Sequence, residues 1–327
     1  MERLYYPKGT RRARLLDALD INFTHYLSNL PQPLNDLAKR NETFLGSRDE
    51  SLFEGAKSLN PVLAGTPWLF WEQFRDLEDD IFLSLAEAGT SFVLASIVLD
   101  HLVDNQSERP DLTSLLHQAL YAHGIERYRS ILPSSSRFWG HFDRLASDHL
   151  QGLASELNAS EEPRKLIVEN LATMAYGKVS PIIVTIAAFT DAAGQQKTLQ
   201  PIEESLKFIA IASQLLDDIV DWKYDLEVGH LTYFLSRLAP PEAWQANTWP
   251  AEGRLQRQID QDWIDVESLR VVKDYLEKSL IAVRDLACEG WVEYIEGYLS
   301  LTEGHLEGAV ARHLSKVFQS ILSAERD

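Results

Sequence analysis

One cysteine, Cys288, stands in a chain of 327 residues. A single thiol can close no internal disulfide and build no thiolate metal cage, and a reducing cytoplasm is its natural setting. Basic residues are scarce: 31 Lys and Arg face 49 Asp and Glu, a formal net charge of −18. Such a chain lacks the basic surface that normally holds nucleic acid, so that class of partner is disfavoured. Long apolar runs are missing too. The most apolar stretches, 91–99 and 179–189, fall short of the roughly 20 residues a membrane span needs, so no integral membrane segment is expected. The N-terminal stretch MERLYYPKGTRRARLL carries charge where a secretory signal would carry an apolar run. There is no internal repeat, no low-complexity tract, and no β-branched alternating run bounded by Asn-Gly or Asp-Gly.

What is present is helical periodicity. The chain is 45% hydrophobic, enough to bury a large core. Segments 91–104, 112–132, 138–157, 163–192, 202–226, 266–287 and 289–324 place apolar residues at mixed spacings of three and four. Breakers fall between them: Pro110, Pro133, Gly194, Pro201, Gly229 and Pro240–Pro241. The pattern predicts an all-α protein, one helical domain over 1–327 with no linker dividing it. Region 239–262, polar and containing proline and tryptophan, reads as a surface excursion or lid.

Two acidic constellations carry chemistry. Asp100 and Asp104 follow the apolar run 91–99 at i and i+4, on one helix face. Asp217, Asp221 and Asp225 stand at i, i+4 and i+8 after the apolar run 208–216. Like charges at i, i+4 destabilise a helix by roughly 0.2–0.5 kcal/mol per pair. Taken alone, each segment also reads as a solvated helix end. Together they suggest hard divalent cations. Mg²⁺ takes oxygen ligands and commonly bridges one or two carboxylates to substrate phosphates. If the two rows face each other, about three Mg²⁺ ions can hold a diphosphate above an apolar cavity. A further patch, Asp76, Glu78, Asp79 and Asp80, has no apolar run leading into it and reads as solvated surface.

At these residues the sequence resembles the trans-isoprenyl diphosphate synthases and their relatives, the class I terpene synthases. Gly55-Ala-Lys57-Ser-Leu-Asn-Pro61 is similar to that family's GGKRxRP stretch. Asp100–Asp104 resembles its first DDxxD, with His101 at the second position, and Arg109 falls where the first of two paired arginines follows. Lys178 resembles the diphosphate-gripping lysine, and Gln214, Asp217, Asp218 and Asp221 resemble FQxxDDxxD. Gly229-His230 stands where the family has Gly-Lys. The resemblance implies an isoprenoid-synthase helical bundle, often a homodimer, acting on a prenyl diphosphate. It implies metal ligands at Asp100, Asp104, Asp217, Asp221 and Asp225. Arg109, Lys178, Lys223, His230 and Gln214 would bind the diphosphate, and Phe92, Ala95, Ser96 and Phe208 would line the hydrocarbon pocket.

The departures narrow the function. Ser58, Asn60 and Pro110 stand where the family has arginines that bind a second substrate, isopentenyl diphosphate. A charge-assisted hydrogen bond contributes on the order of 1.5–3 kcal/mol. Losing three weakens that second site by orders of magnitude. Asp217, Asp221 and Asp225 also match the spacing of the terpene-cyclase NSE triad. The favoured reading is a terpene synthase, cyclase or lyase, that ionises one prenyl diphosphate. Small residues at Ala95 and Ser96 suggest a substrate of C20 or longer. A trans-prenyltransferase and a non-catalytic family member are the alternatives. The rows Phe92, Phe208 and Trp222, and Trp291, Tyr294 and Tyr298, read either as pocket or as core.

Overall fold

The computed structural model describes residues 9–40, 61–103, 107–161, 168–238 and 250–324. Every regular element among them is a helix, as the periodicity predicts: α1 (Arg11–Ser28), α2 (Leu34–Arg40), α3 (Pro61–Leu69), α4 (Trp71–Phe74), α5 (Asp79–Val103), α6 (Pro110–Ile131), α7 (Phe138–Glu161), α8 (Val168–Ala192), α9 (Gln196–Val220), α10 (Trp222–Val228), α11 (Tyr233–Leu238), α12 (Glu252–Asp262), α13 (Ile264–Val283) and α14 (Glu289–Ala324). Helix signals are local. The Thr10 side chain caps α1 by accepting from Ala13 N, Pro110 occupies the first turn of α6, where its missing N–H is harmless, and Gly229 closes α10 at φ 74°. Pro201, read as a breaker, lies inside α9. The hydrogen bond it cannot make falls on Lys197 in the exposed first turn, where water can serve that carbonyl.

The chain divides into two compact units. One comprises residues 1–153, 177–200 and 286–291; the other comprises 154–176, 201–285 and 292–327. In the first unit α5 is the core helix, buried nearly all round between Leu85 and Ala95. It packs against α6 in opposite directions: Glu87 meets Arg127, Ser91 meets His123, and Ala95 meets His117. Phe82 and Phe189 stack edge-on at 5.0 Å, and Phe74 joins Phe189 at the same distance. Each fully buried aromatic of this kind contributes about 1.5–3 kcal/mol through burial. Close helix contact is set by missing side chains. A Cβ on Gly89 would stand 2.4 Å from Thr185, and one on Gly177 would stand 2.5 Å from the Cα of Gly152.

In the second unit a cluster forms from Trp222, Phe234, Leu235, Leu238, Leu255, Ile259 and Ile264. This corrects the expectation for 239–262. Residues 239–249 lie outside the described residues, but α12, otherwise largely exposed, buries Leu255 and Ile259 in that cluster and is docked on it as an amphipathic surface helix. The i, i+4 pair supplies the only apolar face that this polar segment needs. Helices α9 and α13 cross at Ser205 and Ser279, whose hydroxyls lie 2.7 Å apart.

Helix α5 and residues 171–192 of α8 are long and apolar enough to cross a membrane by length and composition, yet 72% of the most apolar 18-residue stretch of each is buried within the chain. Trp291 is fully buried against Phe70, ring centroids 5.1 Å apart, so it is core. Asp76, Glu78, Asp79 and Asp80 are all exposed, as read, and Arg11 pairs with Asp79 at 2.6 Å beside the N-terminus of α5.

Candidate functional site

In the first unit the last turns of α5 carry Ser96, Leu99 and Asp100 on from the buried stripe. The Oδ1 of Asp100 is buried and makes no hydrogen bond. Lys178 Nζ, from α8, stands 3.8 Å away. The Gly177–Gly152 approach draws α8 onto α7, so Lys178 reaches Asp100 and His149 reaches the Gly177 carbonyl at 3.0 Å. Next to this pair is a cavity of about 210 Å³ lined by Phe92, Ser96, Leu99, His117, Tyr121, Ala146, His149 and Leu150. Phe92 and Ser96 line this cavity. Ala95 is buried, and its carbonyl faces His117 Nδ1 at 2.9 Å. Burial pushes His149 below the ordinary histidine range. Asp104 and the stretch 55–60 lie outside the described residues. Arg109 is exposed and forks onto Asp111, at 3.1 and 2.8 Å.

In the second unit α9 ends at Val220 and α10 restarts at Trp222, so the row read as i, i+4, i+8 is interrupted at Asp221. Backbone bonds from Asp221 N to Asp217 O (2.9 Å) and from Asp225 N to Asp221 O (3.0 Å) bridge the break. Asp217 and Asp221 are exposed; Asp218 and Asp225 are buried. Asp218 accepts from Gln214 Nε2 at 2.9 Å and from Tyr233 N at 3.0 Å. Burial pushes its carboxyl up to about 6. Asp225 lies 3.5 Å from His230, and by accepting a hydrogen bond from that imidazole it raises His230 above its ordinary range. Lys223 pairs with Glu252 at 2.8 Å. Phe208 packs on Tyr275, with ring centroids 6.1 Å apart.

No protein-family model matches the chain, and no curated protein matches it. Solved structures do. A polyprenyl synthetase from Streptomyces coelicolor shares 13% identity over 90% of this chain and 98% of its own, at a TM-score of 0.65. A geranylgeranyl pyrophosphate synthase from Corynebacterium glutamicum shares 15% identity over 91% and 93%, at 0.66. A geranylgeranyl pyrophosphate synthetase from Pyrococcus horikoshii shares 17% over 90% and 98%, at 0.63. The chain has the polyprenyl synthase fold. In the first unit Asp100 keeps a buried Oδ1 beside Lys178, and in the second unit Asp217 and Asp221 are exposed.

All three offer carboxylate oxygens only, the donor type that suits Mg²⁺. Among the described residues no group of three or more acids, histidines or cysteines forms a metal cage. Asp217 and Asp221, both on the second unit, are a carboxylate pair of the kind that can hold Mg²⁺ together with substrate phosphates. Asp225 fits less well, because it is buried and engaged with His230.

The sequence reading passed over His117, Tyr121, Ala146, His149 and Leu150. The signal was there: Ala146, His149 and Leu150 stand at i, i+3 and i+4, and His117 with Tyr121 at i and i+4, placing each histidine among the apolar residues of its helix.

Proposed function

We propose that this chain is an enzyme that ionises a prenyl diphosphate with the help of Mg²⁺, in the manner of a terpene synthase. The observation that carries this is the Asp100–Lys178 pair, 3.8 Å apart, beside an apolar cavity walled by Phe92 and Tyr121 in the same unit. A polar end that can grip a charged leaving group and an aromatic end that can shelter carbon are what such a substrate demands. Mg²⁺ at Asp100 would neutralise charge on the departing diphosphate, and Asp217 with Asp221, on the second unit, offer a carboxylate pair of the donor type that suits Mg²⁺. Lys178 donates to diphosphate oxygens, and the Phe92 and Tyr121 faces stabilise the carbon cation. The cavity, about 210 Å³, is below the roughly 300–1,000 Å³ of common ligand pockets, so it houses part of a long chain.

A single-substrate outcome is favoured by Ser58, Asn60 and Pro110, none of which can supply the positive charge that holds a second diphosphate. The second reading, a prenyltransferase, is favoured by the fold neighbours, which are polyprenyl and geranylgeranyl pyrophosphate synthases. One assay separates them. Farnesyl or geranylgeranyl diphosphate is incubated with Mg²⁺, with and without isopentenyl diphosphate, and extracts are analysed. Hydrocarbon in both tubes, with diphosphate released, supports the terpene synthase. Longer diphosphates in the second tube replace that reading with the transferase. No diphosphate release from either substrate defeats both.

A further inference from the structure

The 210 Å³ cavity has a mainly apolar lining, to which Ser96 and Tyr121 add hydroxyls and His117 and His149 add two imidazoles. His117 comes from α6 and places Nδ1 2.9 Å from the Ala95 carbonyl. His149 comes from α7 and places Nδ1 3.0 Å from the Gly177 carbonyl. A carbonyl oxygen can only accept, so each Nδ1 carries the hydrogen and donates it. In the neutral ring that leaves Nε2 as a bare acceptor. The Nε2 of His149 is buried and has no hydrogen-bond partner. A buried imidazole nitrogen left without a partner in a mainly apolar cavity is an expensive arrangement for a packing core. Another half-buried histidine of this unit, His123, shows the contrast: its ring stacks on Tyr26 at 3.7 Å and bridges Ser91 and Glu87, so both its nitrogens are used.

We propose that His149, with His117 beside it, takes the proton that ends the carbocation reaction in this cavity. The assignment rests on the ionisation proposed above. Its chemistry balances. A C–H bond adjacent to the cationic carbon breaks, its electron pair becomes the new C=C π bond, and the proton passes to the Nε2 lone pair. The imidazolium then gives that proton to the released diphosphate or to water as the product leaves. Burial, with His117 and Lys178 nearby, holds His149 below the ordinary histidine range and so favours the open lone pair, while the hydrogen bond to the Gly177 carbonyl and Asp100 pull the other way. A weak base suffices, because a carbocation is an extremely strong acid. The ring's contribution is position: it decides which C–H is lost.

The experiment compares the unmodified chain with His149→Phe and His117→Phe, using farnesyl or geranylgeranyl diphosphate and Mg²⁺. Free diphosphate and double-bond position in the product are measured together. The expected result is a fall of at least tenfold in the ratio of the parent alkene to released diphosphate in His149→Phe, with alcohols or isomeric alkenes taking its place. A smaller shift in the same direction is expected for His117→Phe. An unchanged product pattern per diphosphate released overturns the assignment and leaves the ionisation reading standing. No diphosphate release from the unmodified chain overturns both. Should the variants fail to fold, ¹⁵N spectra of the unmodified chain at pH 7.5 decide. His149 is expected as the neutral Nδ1–H tautomer, and an Nε2–H tautomer or an imidazolium there overturns the assignment.

Discussion

Gly177→Ala tests how α8 is held against α7. A Cβ at position 177 would lie 2.5 Å from the Cα of Gly152 and 3.0 Å from both the Gly152 nitrogen and the Asp148 carbonyl. All three are backbone atoms and cannot swing aside, so relief requires the two helices to part by roughly 1 Å. Such overpacking costs about 1–3 kcal/mol. The same movement stretches the 3.0 Å bond from His149 to the Gly177 carbonyl towards 4 Å, beyond hydrogen-bonding distance, at a further 1–3 kcal/mol or so. Alanine returns about 1 kcal/mol in helix propensity. The net is a loss of about 3 kcal/mol in urea unfolding followed by circular dichroism. Lys178 moves with its neighbour, and a misplacement of about 1 Å in a diphosphate grip can lower the rate of diphosphate release about 100-fold. The control is Gly140→Ala, on an exposed stretch of α7 where nothing lies within 4 Å of the new methyl; it is expected to stabilise by about 0.5–1 kcal/mol. If Gly177→Ala is as stable as Gly140→Ala, the close approach is not what sets the helix spacing.

Three further outcomes follow from other contacts. Glu87, 3% exposed, would be pushed up by burial, but hydrogen bonds from His123 and Arg127 more than compensate and hold it below the usual carboxylate range. A depressed folded value gives stability that is present above the unfolded value of about 4.3 and lost as pH falls through the folded one. Glu87→Gln should therefore lose about 2–3 kcal/mol at pH 7, and the gap to the parent should close in acid melts. Cys288 is buried and its thiol is pushed up to about 11 by that burial, with Glu72 adding to it. Iodoacetamide at pH 8 should label the folded chain at least about 100-fold more slowly than the unfolded chain, and equal rates would contradict the burial. Asp217→Asn with Asp221→Asn should leave stability unchanged or raise it by a few tenths of a kcal/mol, since an exposed i, i+4 repulsion is removed, while Mg²⁺-dependent diphosphate release collapses. Destabilisation by more than about 1 kcal/mol would show that these acids serve the fold.

The helices were legible because they depend on patterns along the chain, such as the apolar stripe of 91–99 and the Pro110 start of α6. Asp100, Phe92 and Ser96 were legible for the same reason: a buried helix that ends in acids displays its own polarity switch. What lay hidden depends on which helix meets which. Nothing in the run around Gly177 announces that Gly152 will face it. His117 and His149 are 32 residues apart, and only the packing of α6 and α7 against α5 and α8 brings them to one cavity. Helix α12 was misread because its apolar face is just Leu255 and Ile259, too short a stripe to register against so many charges.

The acids of 217–225 show how one motif can hold two duties. A helix sorts its residues by face, so neighbours such as Asp217 and Asp218 must point about 100° apart. Asp218 faces inward, where it fastens Tyr233 N at the start of α11 to α9. Its carboxyl, raised from 3.8 to about 6, gives up about 3 kcal/mol of stability in its charged form at neutral pH. That cost is sustained because the carboxylate serves two donors, Gln214 Nε2 and Tyr233 N, that would otherwise be left unpaired in a half-buried site. Asp225 likewise turns inward to His230. The inward acids thus fix the backbone of the turn that follows, and that turn sets the pitch at which Asp217 and Asp221 emerge into solvent. On this account Asp218→Asn should disturb the α9–α11 connection first and cation binding only as a consequence. Asp217→Asn should do the reverse, and a Mg²⁺ titration run beside an unfolding curve distinguishes the two.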